Sequence, residues 1–483
     1  MSIQVSTKEF IRKYLSAINE NYAAIFAGAG LSRSSGFVNW KELLTDIAED
    51  IGLDVEKEND LIAVAQYYKN ERGGRASINQ LLIEHFTFGS KENINTQILS
   101  RLPIETYWTT NYDKIIENEL KKVHKIVDIK ARQENLSVTV LNRNAVVYKM
   151  HGDISNPSEA VLTKDDYESY NLTHSLFTTA LQGDLVSKTF LFIGFSFEDP
   201  NLNSILARIR LLLSDNQRTH YCIMKKVSRD SYKTKKEFLY NQTKQELRIN
   251  DLLRYSINTI LVDSYDEITK ILYELYTKYI VKRVFISGSA HTYGALNDAT
   301  LFLTRLSKNL IEKNYHIISG FGNGVGSFVI SGALDEIMTS KNMNVERYLT
   351  MRPRPSFDLN TEEGKELQAK YRQSMFINCG VVIFLFGNKI DENGNIINSP
   401  GVLEEFQMAL DNKKMIIPIG STGYAAKEIF SYVKLHIDEF VYIKKYLNIL
   451  ESETDHTTLI DTIINILDDI YKYENVTISN FSY

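Results

Sequence analysis

Four short polar stretches in this sequence have the residue types and positions to do chemistry, and each directly follows an apolar run. Ala27-Gly28-Ala29-Gly30-Leu31-Ser32 follows residues 23–26. Asn111-Tyr112-Asp113 follows Thr106-Tyr107-Trp108-Thr109-Thr110. His151-Gly152-Asp153 follows residues 145–150, and Gly194-Phe195-Ser196 follows residues 189–193. A glycine turn between a strand and a helix lets a ligand approach the backbone, and the free N–H groups of the helix start favour a pyrophosphate. Arg33 stands where a third fingerprint glycine belongs, so by itself the turn reads equally well as a tight structural turn. An asparagine can hydrogen-bond a ribose hydroxyl or hold a water. A histidine can take a proton from either near neutral pH. Together these groups suit cleavage of the nicotinamide–ribose bond of NAD. That bond breaks through an oxocarbenium-like state, so it needs orientation of the ribose and no metal.

Such residues need strands to hold them. Each apolar run is strand-length and β-forming, and most are followed by a helical pattern, which predicts a parallel sheet covered on both faces. Ligands of such sheets bind outside the carboxyl ends of the strands, where Gly28, Asn111, His151 and Gly194 all fall. Residues 221–224 suggest a fifth strand and 252–262 a last strand region. The basic stretch 225–248 reads as a solvated helix face. Near Val281 the pattern restarts: a strand over 283–290, a helix from Ala299, a strand at 316–318 and further strands at 381–386 and 415–419. The fold class expected is α/β with two Rossmann-like domains, residues 1–282 and 283–483.

The bulk properties narrow the class. With 483 residues, two or three domains are expected. A net charge of −5 points to no nucleic-acid partner. The two cysteines, Cys222 and Cys379, exclude a four-cysteine zinc site and fit a reducing compartment. No apolar stretch is long enough to span a bilayer as a helix and none has signal-peptide form. A cytoplasmic protein without membrane partner or metal is expected.

Taken in order, Gly28-Ala29-Gly30-Leu31-Ser32, Thr109-Thr110-Asn111-Tyr112-Asp113, Lys149-Met150-His151-Gly152 and Gly194-Phe195-Ser196 resemble the signatures of the sirtuin family, most closely its bacterial defence-type domains. The resemblance implies Asn111 and His151 as the catalytic pair. It implies an NAD site lined by Ala27, Gly28, Ala29, Ser32, Asp113, Gly194 and Ser196. Asp113 reads equally as the cap of the helix after it. The cysteine count departs from deacylating sirtuins, as does Arg33-Ser34-Ser35-Gly36-Phe37-Val38-Asn39-Trp40. Water then becomes the expected acceptor, and the reaction is hydrolysis of NAD+ to nicotinamide and ADP-ribose. An NAD-dependent deacylase or ADP-ribosyl transferase, and a non-catalytic nucleotide sensor, are the alternatives.

The second half carries Ser287-Gly288-Ser289 and the glycine-rich stretch 320–327, neither of them a Walker loop. Successive N–H groups in such loops form anion nests. Arg352, Arg354, Arg372 and Lys389 are candidate phosphate partners, and Glu405 a candidate acceptor for ribose hydroxyls. This half resembles a SLOG domain. Sirtuin followed by SLOG is the order found in effectors of the Thoeris anti-phage system. That resemblance implies a cyclic ADP-ribose isomer made by a TIR-domain partner, binding at Gly288, Ser289, Gly322, Gly324, Arg372, Lys389 and Glu405. It also implies NAD depletion and abortive infection on activation, and a homotetramer or larger assembly.

Overall fold

The computed structural model describes residues 5–38, 40–87, 91–340, 344–353, 355–358 and 360–472. The chain forms two compact units, Met1–Tyr276 and Thr277–Tyr483.

The first unit is built on seven strands: β1 (Ala23–Ala27), β2 (Thr106–Thr109), β3 (Val127–Lys130), β4 (Ala145–Lys149), β5 (Thr189–Ile193), β6 (His220–Lys225) and β7 (Ile257–Val262). They pair in the order β3-β4-β2-β1-β5-β6-β7, every pair parallel. Residues Ala23 to Ala27 and Thr189 to Ile193 are buried throughout, as expected of central strands covered on both faces. The chain leaves β1 for β2 on one side and later returns to β5 on the other, which makes the end of β1 the switch point of the sheet.

Sequence reading does not reveal β3. It is four residues long and alternates apolar with charged, Val127-Asp128-Ile129-Lys130. The two charges are buried as a pair, with Lys130 Nζ 2.8 Å from Asp128 Oδ1. At the other edge, the stretch ending in β7 is helical through Leu253, and the strand starts only at Ile257.

Between β1 and β2 the chain inserts the helices Trp40–Asp50, Leu61–Glu71 and Ala76–Thr87. Their apolar positions Leu43, Leu44, Ile47, Val64, Ile78 and Leu82 form a second core with Tyr112, Ala160 and Leu162. Each fully buried side chain of this kind contributes about 1.5–3 kcal/mol, so the insertion is packed onto the loops that follow β2 and β4. Arg75 adds a bidentate contact, with Nη1 2.8 and 2.7 Å from the two Asp166 oxygens.

The second unit has a five-stranded parallel sheet in the order β10-β9-β8-β11-β14, from β8 (Arg283–Ser289), β9 (His316–Ser319), β10 (Leu349–Met351), β11 (Val381–Phe386) and β14 (Met415–Pro418). An antiparallel ribbon, β12 (Asn388–Ile390) with β13 (Ile396–Asn398), follows β11. Here too the first strand stands in the middle, with β9 and β11 as its neighbours.

Candidate functional site

Strand register places the candidate residues of the first unit. Ala27 is level with Thr109 and with Ile193, and Thr109 is level with Lys149. Across β4, β2, β1 and β5, these four residues form one row at the carboxyl ends. Asn111 and His151 each lie two residues beyond the row, and Gly28 and Gly194 one residue beyond it. Thr109 ties the row together, since its Oγ1 donates to Ala27 O at 3.0 Å and accepts from Asn111 N at 2.9 Å.

The glycine turn is packed tightly. Gly194 has φ +65°, and a Cβ there would strike the backbone of Gly30 and Leu31. Gly30 N donates to Gly194 O at 2.9 Å, and Gly28 N donates to Ile193 O at 2.9 Å. The helix that follows, Ala29–Ser32, is a single turn. Ser196, by contrast, is exposed, and its carbonyl accepts from Arg248.

Asn111 is buried, and its amide orientation is fixed by chemistry. Nδ2 donates to Gly28 O at 3.1 Å and to Ser32 Oγ at 2.9 Å. A carbonyl can only accept, so the NH2 must face Gly28. Oδ1 is then left buried without a hydrogen-bond partner. Asp113 is similar: Oδ1 accepts from Ile115 N at 3.0 Å, while Oδ2 is buried and unpartnered. Oδ1 thus takes the first N–H of the helix Ile115–Lys122, whose N-cap position is Lys114. Unpartnered buried polar atoms are costly in a protein interior, and Asn111 Oδ1, held against the glycine turn, is an acceptor that a polar ligand could satisfy.

His151 is 3% exposed and packs edge-on against Tyr167 and Tyr170, at centroid distances of 5.5 and 6.1 Å. Its Nε2 lies 3.1 Å from Asp199 Oδ2. The imidazole thus faces a carboxylate oxygen at hydrogen-bond distance. Burial pushes the Asp199 carboxyl up, but His151 and the Leu202 and Asn201 N–H groups outweigh it, and the carboxyl is held below its ordinary value.

Beneath the pair lies Lys149, fully buried. Nζ is 2.9 Å from Glu117 Oε1 and 2.5 Å from Asp153 Oδ2, and it also donates to the carbonyls of Tyr112 (3.2 Å) and Asp113. One ammonium thus links the loop after β2 to the loop after β4. Burial pulls the ammonium down, but Glu117, Asp153 and Asp113 more than restore it, and its pKa is raised. Burial dominates at Glu117 and raises that carboxyl despite Lys149. Lys149 lies inside one of the sequence signatures and Asp199 just past another, but the sequence assigns a role to neither. Lysine at a strand end reads as surface, and Asp-Pro reads as an ordinary helix start. Among the described residues no group of three or more His, Cys, Asp or Glu side chains is placed to hold a metal ion. No helix among them is long and apolar enough to cross a membrane.

In the second unit Gly288 and Ser289 end β8. The loop bearing Gly322 and Gly324 packs on that end: Ala290 N donates to Asn323 O at 2.7 Å, and Tyr293 Oη to Gly324 O at 2.8 Å. Gly324 has φ +69°, and a Cβ there would meet the carbonyl group of Ala290. The helix Pro400–Asp411 brings two carboxylates to the same end of the sheet. Glu405 Oε2 accepts from Ser287 Oγ at 2.6 Å, and burial raises its pKa above the ordinary value despite Ser287 and Arg372. Arg372, on the helix Glu362–Ile377, pairs with Glu404 and lies against Gly401. Lys389 makes none of these contacts; it is exposed on the β12–β13 ribbon. Its neighbour Asn388, which no motif singles out, is buried. Asn388 Oδ1 accepts from His291 N at 2.9 Å and Thr292 N at 3.1 Å. Arg352 is exposed, and Arg354 lies outside the described residues.

These two sheets and their strand-end sites define a class, a sirtuin-like domain joined to a SLOG domain. A SIR2-like domain family matches residues 105–248, and the Sir2- and TIR-associating SLOG family matches residues 267–470. The chain is 46% identical to the NAD(+) hydrolase ThsA of Bacillus cereus (strain MSX-D12), over 95% of this chain and 97% of that protein. It is 45% identical to the NAD(+) hydrolase ThsA of Acinetobacter baumannii (strain 532279), over 90% and 91%. It is 43% identical to the protein of that name from Cytobacillus dafuensis, over 95% of each. The chain belongs to the ThsA family.

Proposed function

We propose that this chain hydrolyses NAD+ to nicotinamide and ADP-ribose at the strand ends of its first unit, as an anti-phage defence effector. The observation that carries the reading is the pair Asn111 and His151, both buried and each two residues past the end of adjacent strands, with Asn111 Oδ1 lacking a hydrogen-bond partner. Family membership with proteins named NAD(+) hydrolases supports the reaction.

In this reading Gly28, Ala29 and Ser32 meet the pyrophosphate and ribose, with Ala27, Asp113, Gly194 and Ser196 around them. Asn111 Oδ1 holds a ribose hydroxyl or the attacking water. The C1′–nitrogen bond breaks with its electrons passing to nicotinamide, and the positive charge develops on the ribose. Water oxygen bonds to C1′ and its proton goes to His151, then to solvent. The site acts by orientation and by favouring the charge that develops.

The finer assignments are part of the same proposal. Residues 1–282 form the hydrolase domain and 283–483 the signal-binding domain. A cyclic ADP-ribose isomer from a TIR-domain partner binds at Gly288, Ser289, Gly322, Gly324, Arg372, Lys389 and Glu405, and the family description of the SLOG half, Sir2- and TIR-associating, supports that source. The signal must bind the active state better than the resting one. The protein acts in the cytoplasm as a homotetramer or larger assembly. The test is nicotinamide release by purified full-length protein given NAD+, with and without cyclic ADP-ribose isomers. Release that rises with one isomer is expected. Release only when an acyl-peptide is added, or none with any isomer, overturns the reading.

A further inference from the structure

Asp199 divides its two oxygens between two tasks. Oδ1 accepts from Leu202 N at 2.8 Å and caps the helix Pro200–Leu213, as aspartate before an N1 proline commonly does. Oδ2 is not needed for the cap. It faces His151 Nε2 at 3.1 Å, and Tyr167 Oη donates to it at 3.4 Å. The Asp199 side chain is 7% exposed and that of His151 3%, so water screens their interaction little. The groups facing the imidazole are Asp199 from the turn after β5, and Tyr167, Tyr170 and His174 from the helix Lys164–Thr173 and its cap. Of these, Asp199 alone is a carboxylate. A buried anion would be expensive here unless it were paired.

We propose that Asp199 is a positioning residue for His151: its carboxylate turns the imidazole so that Nδ1 faces the substrate, and stabilises the positive ring formed during hydrolysis. This rests on the NAD-hydrolase reading. With Nε2–H directed at Asp199, Nδ1 carries the lone pair that accepts the proton of the attacking water or of a ribose hydroxyl. The ring then becomes an imidazolium against a carboxylate. Nε2 and Oδ2 stand within hydrogen-bond distance, at 3.1 Å.

The substitution Asp199→Asn separates the two tasks. Asparagine is as good an N-cap as aspartate, so the helix start survives while the charge on Oδ2 is lost. Expected in full-length protein are a fall in kcat of about a hundredfold, KM for NAD+ changed by less than about threefold, an acid limb of the pH–rate profile moved to lower pH, and an unfolding midpoint near that of wild type. Asp199→Glu restores the charge and recovers part of kcat. His151→Ala serves as the inactive reference. If wild type turns over NAD+, His151→Ala does not, and Asp199→Asn keeps wild-type kcat and pH profile, the inference fails while the NAD-hydrolase reading stands. It fails equally if Asp199→Asn loses activity only in proportion to a lowered unfolding midpoint. A wild type without turnover in the presence of any cyclic ADP-ribose isomer overturns both.

Discussion

The two sheets place the same device at the same point, yet dress it in opposite ways. In each, the first strand is central and its carboxyl end is packed by glycine-bearing backbone, from the turn after β1 itself in one sheet and from the loop after β9 in the other. Past the end of β2 two polar atoms are left without a hydrogen-bond partner among the described residues, Asn111 Oδ1 and Asp113 Oδ2. At the end of β8 the polar side chains are already engaged with one another: Glu405 with Ser287, Arg372 with Glu404, and Asn388 with the loop after β8. A catalytic site benefits from groups that are held rigid but unspent, because they bond best to the transition state. A sensor benefits from groups whose existing pairs a ligand must exchange, because only a differential contact can shift an equilibrium.

The sharpest way to break this contrast is to remove a catalytic group. His151→Ala should lower kcat by about 10²–10⁴-fold, and the binding of a cyclic ADP-ribose isomer, followed by calorimetry, should be unchanged. A comparable loss of signal binding would mean that the two ends are not functionally distinct.

The next effect concerns stability. Lys149→Met leaves buried Glu117 without its cation and Asp153 with only Lys114 Nζ, at 3.9 Å, and removing one partner of such a cluster costs about 3–5 kcal/mol. Arg372→Met leaves Glu404, which is 57% exposed, to water. It should cost within about 1 kcal/mol while abolishing the response to the signal. Urea unfolding of both variants checks the pair.

A smaller effect follows from Glu405. Glu405→Gln keeps the shape and the acceptor for Ser287 but removes the acid. Signal affinity should fall about tenfold, equivalent to about 1.4 kcal/mol, with kcat at saturating signal unchanged. Equal affinity would place the ribose contact elsewhere.

The last prediction is a pH dependence. Burial raises the Asp166 carboxyl, but Arg75 and the Thr163 and Leu162 N–H groups outweigh it, so it sits below its ordinary value. A carboxyl depressed in the folded state adds stability above its unfolded pKa of about 3.9. That stability is lost as pH falls through the folded value. Acid unfolding followed by circular dichroism should therefore show a shallower loss below about pH 4 in Asp166→Asn than in wild type.

Much of this is legible in the residues alone. The apolar runs ending in Gly28, Asn111, His151 and Gly194 are strands because uninterrupted β-forming residues have nowhere to go but a buried sheet, and the polar residue closing each run marks its carboxyl end. What stays hidden depends on burial of charge, which no pattern announces. Val127-Asp128-Ile129-Lys130 looks like surface until Asp128 and Lys130 pair inside. Lys149 looks like the solvent-facing end of a strand until Glu117, thirty-two positions earlier, comes back to meet it. Asp199 looks like a cap and is one, and only the fold reveals that its other oxygen faces His151. In the second unit the sequence offers Lys389 as the basic residue after β11, whereas the contacts there belong to its neighbour Asn388.

The central claim is that catalysis sits at the end of β2 and β4 and sensing at the end of β8. Nicotinamide release and signal binding, measured side by side on full-length Asn111→Ala, test it most directly. Turnover at saturating signal should fall at least about 10²-fold while the signal binds as to wild type. Turnover retained within a few-fold of wild type would contradict it.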